Sequence, residues 1–167
     1  MEVKFKRYHK DARIPEKAYD KDFCYDVYAV SEEEVAPNVW KYGLGLAFQV
    51  NRSWVKIFST MLDEKSGIDH LFNFENSSIN ISIDARPRSS VWKTGMVLSN
   101  CEGTIDEDFI GEVSAVFYHL MPNMPRYKVG DRVCQIKIGF TLPMEFCEVE
   151  ELNATDRGDG GYGSTGK

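Results

Sequence analysis

Apolar side chains in this chain recur at every second position, and that period limits the fold more than any other feature. Leu44, Leu46, Phe48 and Val50 are separated by Gly45, Ala47 and Gln49, and Ile79, Ile81 and Ile83 alternate with Asn80, Ser82 and Asp84. Val113, Ala115 and Phe117 alternate with Glu112, Ser114 and Val116. Shorter stretches of the same kind occur at Val3 and Phe5, at Tyr25, Val27 and Ala29, and from Val133 to Ile138. A strand points successive side chains to opposite faces, so each segment turns one side to a core and the other to water or a neighbour. Turn residues fall between the runs at Pro37-Asn38, Pro87, Gly103, Pro122 to Pro125 and Gly130-Asp131. Nothing in the spacing suggests strand–helix–strand units, so the expected class is all-β, a sandwich or barrel.

Two segments depart from this period. In 53–64, Trp54, Ile57, Phe58, Met61 and Leu62 form a helical stripe with Gly67 as a stop, which predicts one amphipathic helix packed on the barrel. The last eleven residues, Arg157 to Lys167, hold five glycines and one large apolar side chain, Tyr162. Such a segment buries too little to stay folded alone and is expected to be a flexible arm. The chain therefore divides into one domain over 1–156, with 51–78 as an insertion, and an arm over 157–167. A length of 167 residues suits one core.

Charge and cysteine usage exclude several classes of function. Asp and Glu total 26 against 20 for Lys and Arg, a net charge of −6, whereas gripping nucleic acid or an anionic membrane needs a positive excess. An anionic small molecule remains compatible if a few arginines converge on it. Cys24, Cys101, Cys134 and Cys147 form no CxxC pair, and His9, His70 and His119 are dispersed, so neither a disulfide framework nor a zinc site is expected. With no apolar run of membrane-spanning length, the protein is expected to work in the cytoplasm, of a cell or of a virus's host.

Three stretches carry chemistry. Gly161 to Lys167 fits the spacing GxxxxGK, but no helix follows it here to aim N–H groups at phosphate; what survives is a Gly-rich backbone near Arg157, Ser164 and Thr165 that suits phosphate oxygens. Gly103 to Val113 reads as a hairpin with acidic residues at its turn. Arg86-Pro87-Arg88-Ser89-Ser90 puts two guanidiniums and two hydroxyls at a strand end, where they can clamp phosphate.

In this order, Tyr25-Asp26-Val27-Tyr28-Ala29, Pro87-Arg88-Ser89-Ser90, Asn100 to Val113, Gly130-Asp131-Arg132-Val133-Cys134-Gln135-Ile136 and Ala154 to Gly166 resemble the five motifs of the homotrimeric dUTP pyrophosphatases. The resemblance runs from about Asp22 to the last residue, interrupted by 51–78. It implies a jelly-roll-like β-barrel, a homotrimer with active sites shared between subunits, and Mg²⁺-assisted hydrolysis of dUTP to dUMP and pyrophosphate. That reaction limits uracil in DNA and supplies dUMP for dTMP synthesis. Carried over position by position, Asp106 is the general base for water attacking the α-phosphate. Asn100 and the backbone of Gly103, Thr104 and Ile105 read uracil. Phe109 stands where the family usually has Tyr and packs on deoxyribose, leaving no room for a 2′-hydroxyl.

Arg88, Ser89 and Gln135 contact phosphates, and Ser90 replaces the usual Gly. Asp26 lies near Mg²⁺ and acts on it through coordinated water, while Cys24 replaces a customary Gly. In the arm, Arg157 pairs with the γ-phosphate, Tyr162 stacks on uracil, and Gly163, Ser164 and Thr165 line the phosphates. Two rival readings are a dCTP deaminase on the same fold and a non-catalytic nucleotide sensor. The deaminase pattern needs Glu and Arg where this chain has Val116 and Lys93. Intact Asp106, Arg88, Gln135 and Arg157 argue against the sensor.

Overall fold

A computed structural model describes residues 2–51, 80–142 and 144–160. The helix expected at 53–64, most of the 51–78 insertion, and Tyr162, Gly163, Ser164 and Thr165 lie outside the described residues. What is described is nearly all β. The strands are β1 (Val3–Arg7), β2 (Tyr25–Tyr28), β3 (Ser31–Ala36), β4 (Val39–Gly43), β5 (Leu46–Val50), β6 (Asn80–Pro87), β7 (Met96–Leu98), β8 (Gly103–Asp106), β9 (Ser114–His119) and β10 (Arg132–Thr141). One short 3₁₀ turn, Ser89–Thr94, separates β6 from β7. No described helix is long and apolar enough to cross a membrane.

Two four-stranded antiparallel sheets, β2-β10-β6-β8 and β3-β4-β9-β7, and a β1-β5 ribbon contribute to a single core in a jelly-roll-like arrangement. On β6 and β9 the alternation in the sequence is the alternation of burial, with Ile81, Ile83, Ala85, Ala115 and Phe117 turned inward, whereas β1, expected from Val3 and Phe5 to turn one side to the core, is exposed along all five residues. On β10 both Val133 and Cys134 are fully buried although adjacent, because the register slips between Arg132 and Cys134 and the bulge turns two successive side chains the same way. Burial first, then the nearby Asp26 carboxylate, push the Cys134 thiol up to about 12, so it is protonated at neutral pH. Tyr42, Phe117 and Tyr127 meet edge to face at the centre, with centroids 5.4–6.1 Å apart. The Tyr42 hydroxyl donates to the Tyr127 carbonyl at 2.9 Å, which satisfies its buried polar end.

The β3–β4 hairpin turns at Pro37 and Asn38, where Asn38 takes φ 60° and its N–H donates to Glu34 Oε1 at 2.9 Å. The stretch from Gly103 to Val113 is not the expected hairpin. Its first half, β8, pairs with β6, and its continuation, β9, belongs to the opposite sheet between β4 and β7. The loop 107–113 therefore carries the chain from one sheet to the other, and this crossing builds the site.

Candidate active site

At the crossing lies a cavity of about 280 Å³ lined by Asn100, Gly103, Thr104, Ile105, Asp106 and Phe109, with Ala85, Val113 and Ala115 among its apolar walls. Sequence adjacency alone does not make it. After β7 the chain reverses through Cys101, which takes φ 56° and donates its N–H to the Leu98 carbonyl. That turn lays the Asn100 amide over Gly103, where an added Cβ would sit 3.1 Å from Asn100 Nδ2. The glycine is what lets the amide come so close. β8 is the outermost strand of its sheet, hydrogen-bonded to β6 on one side with no strand on the other among the described residues. Its outer N–H and C=O groups thus border the cavity, which is the arrangement needed to read the edge of a planar heterocycle. Past Asp106 the Phe109 N–H donates back to the Asp106 carbonyl at 3.1 Å. The Phe109 ring, 46% exposed, lies across Gly111, where a Cβ would fall 2.8 Å from its Cζ.

Asp106 is also on the rim of a second, wider basin of about 670 Å³ with Ser82, Asp84, Arg86, Glu102 and Lys137 in its walls. Its cations are paired, Lys137 with Asp84 and Arg86 with Glu102, and Ser82 Oγ donates to Asp84 Oδ1 at 2.8 Å. Burial works to raise the Asp84 pKa, but the Lys137 and Ser82 hydrogen bonds outweigh it and hold the carboxyl below its ordinary value. Asp106 therefore shares this basin with paired cations and with the further carboxylates of Glu107 and Asp108.

The basic residues gather elsewhere. Asp26, 8% exposed, accepts from Arg88 Nε at 2.8 Å, from Arg88 Nη2 at 3.3 Å and from Arg132 Nη1 at 3.0 Å. Arg88 Nη1 reaches Ser90 Oγ at 3.3 Å, Gln135 lies opposite Asp26 in the β10–β2 register, and its Nε2 donates to the Pro87 carbonyl at 3.5 Å. Ser89 is exposed at the start of the 3₁₀ turn. Two guanidiniums against one carboxylate leave a surplus positive charge, held in a fixed fork suited to phosphate oxygens. Arg132 was not among the expected site residues; it stands in the quoted Gly130–Ile136 motif, but its partner is 106 positions away.

One chain does not bring the two clusters together. Asp106 is opposite Ser82 on β6, while Arg88 lies just beyond the other end of that strand, six residues and about 20 Å of extended backbone from Ser82. Arg157 is exposed, and its Nε donates to the Gly160 carbonyl at 2.9 Å.

The family model described as dUTPase matches residues 76–166. A deoxyuridine 5′-triphosphate nucleotidohydrolase of Nautilia profundicola is 30% identical over 169 residues, covering 100% of both chains. One from Corynebacterium glutamicum is 32% identical, covering 99% of this chain and 95% of its own. Among solved structures, the Staphylococcus bacteriophage 80alpha dUTPase with dUPNHPP superposes with a TM-score of 0.71 at 19% identity, covering 99% of each chain. A mutant dUTPase of Staphylococcus aureus phage phi11, described for its structural Mg(II) ion, matches with a TM-score of 0.62 at 15% identity, covering 92% of this chain and 100% of that one.

Proposed function

The chain belongs to the dUTPase family, and from that premise we propose that it hydrolyses dUTP to dUMP and pyrophosphate at a site built from more than one copy of itself. The observation that carries this reading is the cavity holding Asn100, Gly103, Thr104, Ile105, Asp106 and Phe109 together, with an open strand edge along one side. Uracil lies against that edge, where Asn100 and the backbone of Gly103 to Ile105 imitate a base pair. A base with a different edge leaves buried donors or acceptors unmatched. Phe109 packs on the deoxyribose.

Asp106 then stands at the mouth, toward the α-phosphate. Its carboxylate accepts a proton from water as the water oxygen bonds to the α-phosphorus. The bond from that phosphorus to the bridging oxygen breaks, and pyrophosphate leaves with the electron pair. The phosphates need cations, and the two that share a basin with Asp106, Arg86 and Lys137, are already paired with Glu102 and Asp84. Arg88, Ser89, Ser90 and Gln135 of a neighbouring copy supply them, because the separation within one chain exceeds the reach of a triphosphate from its α- to its γ-phosphorus. A homotrimer with shared sites meets this requirement. The arm over 157–167 closes the site, with Arg157 on the γ-phosphate, Tyr162 on the base, and Gly163, Ser164 and Thr165 along the phosphates.

Asp26 keeps lone-pair capacity beyond its three arginine hydrogen bonds. That donor chemistry fits a Mg²⁺ ion held chiefly by triphosphate oxygens and reached from Asp26 through water. When bound, such an ion draws negative charge from the triphosphate and fixes its shape. Asp26 itself holds the forks of Arg88 and Arg132 in place. The reaction removes dUTP from the cytoplasmic nucleotide pool and yields dUMP.

The test is product analysis of purified protein with Mg²⁺ and, separately, dUTP, dCTP, dTTP and UTP. Pyrophosphate and dUMP from dUTP, with the other three essentially unturned, are expected. Conversion of dCTP to dUTP would identify the deaminase branch instead, although Val116, on the wall of the same cavity, offers no acid or base for that chemistry.

A further inference from the structure

The loop between β8 and β9 carries Phe109, and its position is set from outside the sheet that holds Asp106. Leu44 donates its N–H to the Val113 carbonyl at 3.0 Å, and Val113 donates to the Leu46 carbonyl at 2.8 Å. These backbone bonds fix only the last residue of the loop. Nearer Phe109, the Tyr8 hydroxyl donates to the Ile110 carbonyl at 3.4 Å, and the Gly45 N–H donates to Glu112 Oε1 at 2.9 Å.

The Glu112 carboxylate occupies a space left by the missing side chain of Gly43, within reach of the Gly45 N–H. At Gly43 an added Cβ would lie 2.9 Å from Glu112 Oε1 and 2.5 Å from Ser31 Oγ. Gly45 takes φ 66°, and a Cβ there would meet His9, Val30 and Ala12 at 2.8–3.0 Å. The Gly45 carbonyl in turn accepts from the Tyr8 N–H at 2.8 Å, so both polar groups of this peptide corner bind residues that hold the loop. Glu112 itself lines the cavity, and the residue before it, Gly111, is the one on which the Phe109 ring lies.

We propose that Glu112 is a positioning residue: by gripping Gly45 it sets the height of the Phe109 ring in the cavity and so governs rejection of a nucleotide bearing a 2′-hydroxyl. The inference rests on the reading of this cavity as the nucleoside site. A ring that excludes one hydroxyl works by a margin of less than an atomic diameter, so a loop freed on one side admits the ribonucleotide before it loses the deoxyribonucleotide.

The experiment measures kcat/KM for dUTP and for UTP, with melting temperatures, on the full chain and on Glu112→Ala, Glu112→Gln and Tyr8→Phe. Glu112→Ala is expected to lower the dUTP-to-UTP ratio by about tenfold or more, the scale at which a pocket discriminates a single small group. Glu112→Gln, whose amide oxygen still accepts from Gly45, is expected to stay within about twofold of the parent. Tyr8→Phe moves the ratio in the same direction by less. An unchanged ratio in folded Glu112→Ala overturns the proposal, and so does an equal loss on both substrates or a Gln variant as impaired as the Ala variant. If Glu112→Ala does not fold, an unchanged ratio in Tyr8→Phe overturns it. A parent chain inactive on dUTP would instead overturn the functional reading beneath it.

Discussion

Asp106→Asn is expected to leave a folded protein that binds dUTP and turns it over about a thousand times more slowly, or less. The amide has the size and shape of the carboxylate but accepts no proton, so the loss falls on the step in which water is deprotonated, where a positioned base is worth about 10²–10⁴-fold. Little else should change. Asp106 is exposed at the end of β8, and the strand is held by its pairing with Ser82 to Ala85 through backbone groups the substitution does not touch. Calorimetric binding of dUTP near the parent's affinity, an unaltered melting temperature and a collapse in kcat form the expected set. A variant keeping more than about a tenth of parental kcat would remove Asp106 from the chemistry, because a true general base cannot be replaced that cheaply.

Removing 157–167 is the second large effect. The described part of this arm, 157–160, contributes nothing to the core, and Arg157 bonds only to Gly160 within it. Melting temperature and oligomeric state should therefore be those of the full chain. Activity should not, because a guanidinium, two hydroxyls and an aromatic ring are lost from the substrate and water enters the site. A fall in kcat/KM of about a hundredfold or more is expected, the scale of losing positioning groups and closure together. Steady-state kinetics beside a sedimentation measurement checks this, and a truncated protein with full activity would end the arm's role.

How much of this was legible in the chain depends on how far apart the interacting residues are. Period-two alternation placed β2, β5, β6, β9 and β10, because the inward face of a strand is a property of neighbouring residues, and it also marked β1, though that strand is exposed throughout. It did not reveal that β8 pairs back onto β6. A turn-rich acidic stretch looks like a hairpin when only local residues are weighed, and which sheet takes the strand is decided by packing across the core. The bulge on β10 was hidden for the same reason, since Val133 and Cys134 are both apolar and either phase of the alternation would have seemed reasonable.

The site divides along the same line. Asn100, Gly103, Thr104, Ile105, Asp106 and Phe109 are close in sequence, stood out as one motif, and line one cavity. The ties that arm or steady the site cross the chain: Asp26 to Arg88 over 62 positions, Asp26 to Arg132 over 106, and Gly45 to Glu112 over 67. No spacing rule brings such partners together, so Arg132 and Glu112 emerge only from the folded chain. Residue spacing says nothing of how far apart Asp106 and Arg88 lie within one copy, although the resemblance implied sites shared between subunits.

Water attack on the α-phosphate of dUTP is checked by following where the water's oxygen goes. Purified protein with Mg²⁺ and dUTP is allowed to turn over once in water enriched in oxygen-18, and both products are weighed by mass spectrometry. One heavy oxygen in dUMP and none in pyrophosphate are expected. Heavy oxygen in the pyrophosphate, or release of inorganic phosphate with dUDP, would place the attack on another phosphorus and contradict this mechanism.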